Sequence, residues 1–244
     1  MNIDVNFDFT LDTPNYWKGF WDDSILGGGG ADPDAVSKTL QAYHQLLWSK
    51  ALPNGEKLEL SIGKGSNYLT WNSFRFGSDS ILASFRYFRN KKLLEEVSKS
   101  IPEYKFFIED FIHRTYTIGG SIIFPKENSI NRARGVNPLI KDRWDLTLEC
   151  IRRFYKNESS PLYDTLVKNK DFFDLFVDFK GYVDFFYLQD CVSIDYQSVV
   201  FWIGDGDLSK NPMPKTVDEY LMWIEKQLEF VSKRNKRIEE AIRF

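Results

Sequence analysis

Apolar positions along the chain repeat in two periods, and the switch between them marks out the elements. Ile3, Val5, Phe7 and Phe9 alternate with Asp4, Asn6 and Asp8, the period-two pattern of a half-buried strand. An irregular aromatic stretch follows around Tyr16, Trp17, Phe20 and Trp21, and then the period lengthens. Asp32 as N-cap, Pro33 at the first helical position and a stripe of Val36, Leu40, Tyr43 and Leu47 predict a helix, ended by Pro53, Asn54 and Gly55. Leu58, Leu60 and Ile62 alternate with Glu59 and Ser61. Gly63 to Asn67 separate that run from a second one at Tyr68 to Phe76, which predicts a hairpin. Ile81 to Tyr87 reads as a third strand and Ser121 to Phe124 as a short one.

Helical spacing governs the remainder. Leu93 to Val97, and Tyr104 to Ile112 after Pro102, predict two helices, with Gly119 and Gly120 beyond the second. Lys141 to Lys156 reads as a largely buried helix, because Trp144, Leu148, Ile151 and Tyr155 form one stripe and Leu146, Cys150 and Phe154 another. Ser160 and Pro161 signal a short helix, and Phe172 to Leu188 a helix interrupted at Gly181. Val199 to Ile203 is an apolar run suited to an interior strand. Thr216 and Glu219 match a capping box for a final helix, whose positions 217, 221, 224, 228, 231, 235, 238 and 242 are all apolar except Asn235. This helix should dock through Val217, Leu221, Ile224, Leu228 and Val231, leaving Lys233 to Arg237 exposed. Its seam packs either within the domain or against a second copy, so monomer and homodimer are both open.

Strands and helices mix without regular βαβ alternation. The expectation is therefore an α+β fold: a single helix-rich domain over residues 1–244 with a small antiparallel sheet formed mainly from the N-terminal half. A divide near residue 120, between a β-rich first half and a helical second half, is the alternative.

Composition narrows the function classes. The 244 residues carry 32 basic and 35 acidic side chains, a net charge of -3, so neither sign dominates. Aromatics make up 16% of the chain, led by 21 Phe, which suits a dense core that needs no disulfide or structural metal. A zinc site would require Cys150, Cys191, His44 and His113 to converge, and no spacing suggests it, so no metal or cofactor is expected. The first residues lack a basic start, apolar core and cleavage site, and no apolar run is of membrane-spanning length. The expected location is the cytoplasm, with both cysteines reduced. The patch suited to nucleic acid is Lys233, Arg234, Lys236, Arg237 and Arg243, but with a net charge of -3 a solvated helix face is the better account of it.

Three stretches carry a resemblance: YHQLLWSKALPNG from Tyr43 to Gly55, FPKENSINRARG from Phe124 to Gly135, and KDRWDLTLECIRRFY from Lys141 to Tyr155. Together they resemble a family of uncharacterised bacterial proteins, a domain of unknown function. The resemblance implies a bacterial cytoplasmic origin and brings no activity, cofactor or catalytic residue with it.

Several motifs invite chemistry. Gly27 to Gly30 precede a helix, but they match neither GxGxxG nor a P-loop ending, and Asp22, Asp23, Asp32 and Asp34 would repel a phosphate. GKGS at Gly63 to Ser66 is too short for a P-loop. Asp205, Asp207 and Ser209 occupy the first three ligand places of a calcium loop, but Lys210 replaces its glycine and Thr216 its bidentate glutamate. Asp178 and Lys180 form a D-x-K that would need an upstream carboxylate such as Asp171 or Asp174 to hold a metal.

The richest region is Lys126 to Arg153. Asn128, Asn131, Arg132 and Arg134 crowd donors ahead of a buried helix bearing Asp142, Asp145, Glu149, Arg152 and Lys156 on one face. The functional reading is a ligand-binding or interaction protein, accessory or defence-related. In it Asn128, Asn131, Arg132, Arg134 and Arg152 grip a small anionic or nucleotide-like ligand. The alternative is a metal-dependent phosphoester hydrolase or nuclease using Asp145, Glu149, Asp178 and Lys180. Whether the protein is an enzyme stays open, and the structural account is that Glu149 pairs with Arg152 and Arg153 one turn on.

Overall fold

The computed structural model describes residues 2–21, 32–63, 69–81, 91–210 and 213–243. Among them are α1 (Tyr16–Trp21), α2 (Pro33–Val36), α3 (Lys38–Trp48), β1 (Ser61–Ile62), β2 (Leu69–Trp71), β3 (Phe74–Ser80), α4 (Lys91–Ser100), α5 (Tyr104–Thr115) and β4 (Ser121–Pro125). There follow α6 (Ile130–Val136), α7 (Trp144–Tyr155), α8 (Tyr163–Lys168), α9 (Lys170–Asp174), α10 (Phe179–Phe185) and α11 (Val217–Ile242). The strands form one antiparallel sheet in the order β1-β2-β3-β4, so the protein is an α+β domain, mostly helical, with its sheet drawn mainly from the N-terminal half. A single hydrophobic cluster runs from Val5 to Ile238. Gly27 to Gly30, most of GKGS and residues 82–87 of the expected third strand lie outside the described residues.

The acidic residues of the first segment work against the expected strand. Asp4 Oδ1 accepts the Asn6 N–H at 3.0 Å and Asp8 Oδ1 the Thr10 N–H at 2.8 Å, so residues 3–9 bend through side-chain-closed turns instead of forming a ladder. The β-prone run at Tyr68 to Phe76 holds two strands. Asn72, at φ +50°, reverses the chain between β2 and β3, and Trp71 pairs with Phe74. The helix expected from Asp32 breaks once, because Ser37 ends α2 and its hydroxyl caps α3 at the Leu40 N–H, 3.0 Å away.

Gly181 does not interrupt its helix. The break falls at Leu175 to Asp178, where Val177 sits at φ +70° and the Asp178 carboxylate caps α10 by accepting the Gly181 N–H at 2.7 Å. Gly181 is required for close approach: a Cβ there would lie 2.1 Å from the Phe176 carbonyl oxygen, a backbone atom that cannot step aside. Gly181→Ala should therefore lower the melting temperature by several degrees, the effect of about 1–3 kcal/mol of overpacking. A thermal melt equal to the parent's would show that the α9–α10 corner is free to open.

Val199 to Ile203 forms no strand beyond an isolated bridge from Val199 to Val192. Side chains at the start of α7 take the strand partner's place: Asp145 Oδ2 accepts the Trp202 N–H at 2.8 Å and Arg143 Nη2 donates to the Ile203 carbonyl at 2.9 Å. In α11 the Thr216 cap holds, while the buried face is wider than the seam. Tyr220, Trp223, Gln227, Phe230 and Arg234 are buried beside Ile224, Val231, Asn235 and Ile238, whereas Val217, Leu221 and Leu228 are only half-buried. Asn235 is an internal anchor, accepting the Gly119 N–H at 2.7 Å and donating to Thr117 Oγ1 at 2.8 Å. Arg234, expected on an exposed basic end, is fully buried.

Candidate functional site

The donor-rich region from Lys126 to Arg153 spreads over several packed elements, and its charges are largely spent on one another. Asn128 Nδ2 donates to the Lys168 carbonyl at 3.1 Å, tying the turn before α6 to the end of α8. Asn131 donates to the Ser78 carbonyl on β3 at 3.3 Å, and the Arg132 side chain stands exposed. Arg134 is fully buried and donates to Thr147 Oγ1, Asp79 Oδ2, the Ser80 carbonyl and the Asp142 carbonyl over 2.5–3.2 Å. Arg152 holds Glu149 through two bonds of 2.7 and 2.8 Å, and Arg153 adds a third at 2.7 Å. Burial works to raise the Glu149 carboxyl, but the bonds from Arg152 and Arg153 outweigh it and hold it below the usual carboxylate range.

The other candidate carboxylates are equally engaged. Asp145, fully buried, takes two bonds from Arg143 besides the Trp202 N–H. Lys180 pairs with Asp184, one turn on. Lys210 lies between Asp205 and Asp207, 3.2 and 2.9 Å from their oxygens, in the segment that imitates a calcium loop. Among the described residues no group of three or more His, Cys, Asp or Glu side chains is placed to hold a metal ion. Cys150 and Cys191 are buried and unbridged, and burial pushes the Cys150 thiol up to about 11. Of the basic end of α11, Lys233 pairs with Glu229, Arg237 with Asp190 and Arg243 with Glu239.

Around Arg134 the fold gathers residues that no sequence motif announces. Asp34 on α2, Ser78 and Asp79 on β3, and Asp142 before α7 meet there. A directed chain of bonds leads to it from the core, from Trp48 Nε1–H to His44 Nδ1 at 2.8 Å, between His44 Nε2 and Ser78 Oγ at 3.0 Å, and from Ser78 Oγ–H to Asp34 Oδ1 at 2.5 Å. Because the indole can only donate, His44 keeps its proton on Nε2. Burial, and then Arg234, drives His44 down to about 3, so it stays neutral. Burial and the neighbouring carboxylates of Asp32 and Asp79 push Asp34 well up. Asp142 rises to about 7, because burial and the charges of Asp79 and Asp32 outweigh the attraction of Arg134. This cluster is polar and tightly bonded, and the carboxyl groups of Asp34, Asp79 and Asp142 gathered around Arg134 disfavour an anion there.

A different wall of the molecule is open. A cavity of about 570 Å³ lies between the turn after α3 and the α9–α10 corner, lined by Lys50, Leu52, Pro53, Phe176, Phe185 and Tyr187. Asp178 and Lys180 line it too, so the structure brings these two candidates together, away from Asp145 and Glu149. The Lys50 ammonium donates to the Phe185 carbonyl at 2.6 Å. It stands 3.8 Å from the Tyr187 ring centre, 4.5 Å from that of Phe185 and 5.2 Å from that of Trp48. No carboxylate among the described residues pairs with it, and burial, with Arg234 behind Trp48, lowers it to about 7. Nothing in the sequence marked Lys50, a lone lysine two residues beyond a helix.

Among the described residues no helix is long and apolar enough to cross a membrane. No curated protein and no solved structure matches the chain. One family model does match it, over residues 3–238, and the chain thus belongs to the family of unknown function DUF6994.

Proposed function

We propose that the protein binds a small ligand with an apolar or aromatic body and one acidic group, a carboxylate or phosphate, in the cavity at Lys50. The observation that carries this reading is a half-buried ammonium on the wall of an aromatic cavity, with no carboxylate partner among the described residues. Taking such a charge out of water is costly unless it is paired, and a ligand's acid group supplies the missing counter-charge. Tyr187, half-buried on the cavity wall in front of the buried Phe176 and Phe185, offers a ring for an aromatic body, which suits the nucleotide-like ligand as well as a simple aryl acid. The proposed setting is a bacterial cytoplasm, in an accessory or defence-related role. Asp178 and Lys180 of the metal-dependent hydrolase reading line the same cavity, but Asp178 caps α10, Lys180 pairs with Asp184, and Asp145 and Glu149 are bonded elsewhere, which supports binding over hydrolysis.

A thermal-shift screen over aryl carboxylates, nucleoside monophosphates and sugar phosphates tests it. A ligand present at a hundred times its dissociation constant adds about 2.7 kcal/mol of stability. The shift should vanish in Lys50→Met, which keeps the volume and removes the charge. It should also weaken as pH rises through about 7, because the anion binds the ammonium form and that form is lost above its pKa. Shifts that survive in Lys50→Met would place the ligand elsewhere.

A further inference from the structure

A second cavity, of about 580 Å³, opens where the N-terminal segment meets α5 and the exposed side of α11. On its wall stands a carboxylate–imidazole pair, Asp8 and His113, with Oδ2 and Nδ1 2.5 Å apart. Asp8 is fixed before it meets the histidine: its two oxygens accept the Thr10 N–H and the Thr10 hydroxyl, each at 2.8 Å, and the Asp8 side chain is 11% exposed. The segment that carries it is pinned to the end of α5, since the Phe9 N–H donates to the Tyr116 carbonyl at 2.9 Å. His113 itself is 45% exposed, with its ring centre 4.9 Å from that of Trp17.

An ionised carboxylate can only accept, so Asp8 fixes the His113 proton on Nδ1 and leaves a lone pair on Nε2, which has no partner among the described residues. A histidine so oriented, on the wall of a cavity, has the arrangement that proton abstraction needs. Val5, Leu11 and Leu228 supply apolar walls, Leu11 being 72% exposed, and Lys236 lines the same space without a carboxylate partner among the described residues. The remaining charges facing His113 are engaged, Arg114 with Asp110 and Glu239 with Arg243. Apolar walls beside one cation that has no carboxylate partner among the described residues suit a neutral acyl group that develops one negative charge during reaction. They suit a phosphate ester, which arrives charged, less well.

We propose that His113 is a general base in this cavity and that the protein hydrolyses small carboxylic esters there. Nε2 takes a proton from water as the water oxygen bonds to the acyl carbon, and the oxyanion forms within reach of the Lys236 charge. The ester C–O bond then breaks, and His113 returns its proton to the departing alkoxide, releasing acid and alcohol. Asp8 is a positioning residue that holds the tautomer and steadies the imidazolium.

The test is hydrolysis of p-nitrophenyl acetate and butyrate by the full chain, followed as nitrophenolate release. The parent should exceed the buffer rate, and His113→Ala should fall by about 100-fold or more, in keeping with the usual share of a general base. Added imidazole should restore part of the His113→Ala rate without restoring that of Asp8→Asn, in which the ring is present but misdirected. Should His113→Ala not fold, Ser232→Trp, a substitution at an exposed cavity-lining position, decides, because it fills the cavity and leaves the pair intact. No turnover by the parent, or turnover untouched in His113→Ala or Ser232→Trp, overturns the proposal.

Discussion

Arg134→Ala is expected to leave the protein unfolded or close to it at 37 °C. The substitution strips the cation that pairs with Asp79 and Asp142, both largely buried, and it also removes donors from the Ser80 and Asp142 carbonyls. Breaking a buried pair by deleting one partner costs about 3–5 kcal/mol, against a total stability of about 5–15 kcal/mol for a domain. Asp142→Asn should act in the opposite direction, and in a pH-dependent way. The folded Asp142 keeps its proton up to about pH 7, whereas the unfolded carboxyl releases it near about pH 4. Across that window the folded state binds more protons, so stability falls as pH rises, and the full penalty stands above pH 7. Urea unfolding at pH 5 and pH 8 should show Asp142→Asn gaining on the parent at the higher pH. An equal difference at both pH values would mean that Asp142 titrates normally.

Arg234→Ala should be as damaging, for a reason that has nothing to do with ion pairs. Its guanidinium donates to the carbonyls of Phe186, Gly119 and Ser121 at 2.8–3.0 Å and stacks 5.8 Å from the Trp48 ring centre, joining α11 to the start of β4 and the end of α10. Removing it leaves three carbonyls without that donor, each worth about 1–3 kcal/mol when buried and unsatisfied, and opens a hole the size of the side chain. Lys236→Ala, two residues on and exposed, should change stability by about 0.5 kcal/mol or less. Soluble expression and denaturant midpoints of the two variants make the comparison. Equal stability would show that the basic stretch of α11 behaves as one solvated face.

Elements governed by neighbours three and four residues away were legible before the fold was known. The Thr216 cap and stripe of α11, the double stripe of α7, the Asp32–Pro33 start of α2 and the antiparallel pairing of β1 and β2 all follow from local spacing, because caps and amphipathic faces are specified within a turn or two of chain. Local pattern and fold part company where another group competes for the backbone. Val199 to Ile203 has the composition of a strand, yet its amide and carbonyl groups find Asp145 and Arg143, about sixty residues upstream in sequence, before any strand can reach them. Ile3 to Phe9 alternates as a strand would, and its own aspartates close turns instead.

Charge was the least legible property. The pairing of Arg152 with Glu149 lies within one turn of helix and could be read locally, but Arg134 and Arg234 look in sequence like donors awaiting a ligand, and only the packing of β3, α7 and α10 around them shows that carboxylates or carbonyls already occupy them. Lys50 and His113 carry no motif, and they stand beside open space because of what the fold places next to them. Which segments coil and which apolar faces must be covered follows from residue type and period, because the drive to bury those faces is set by the apolar side chains themselves. Which charges are spent and which stay available was decided by the tertiary structure. A charged group's free energy depends on the water and partners within a few ångströms of it, and those come from segments remote in the chain.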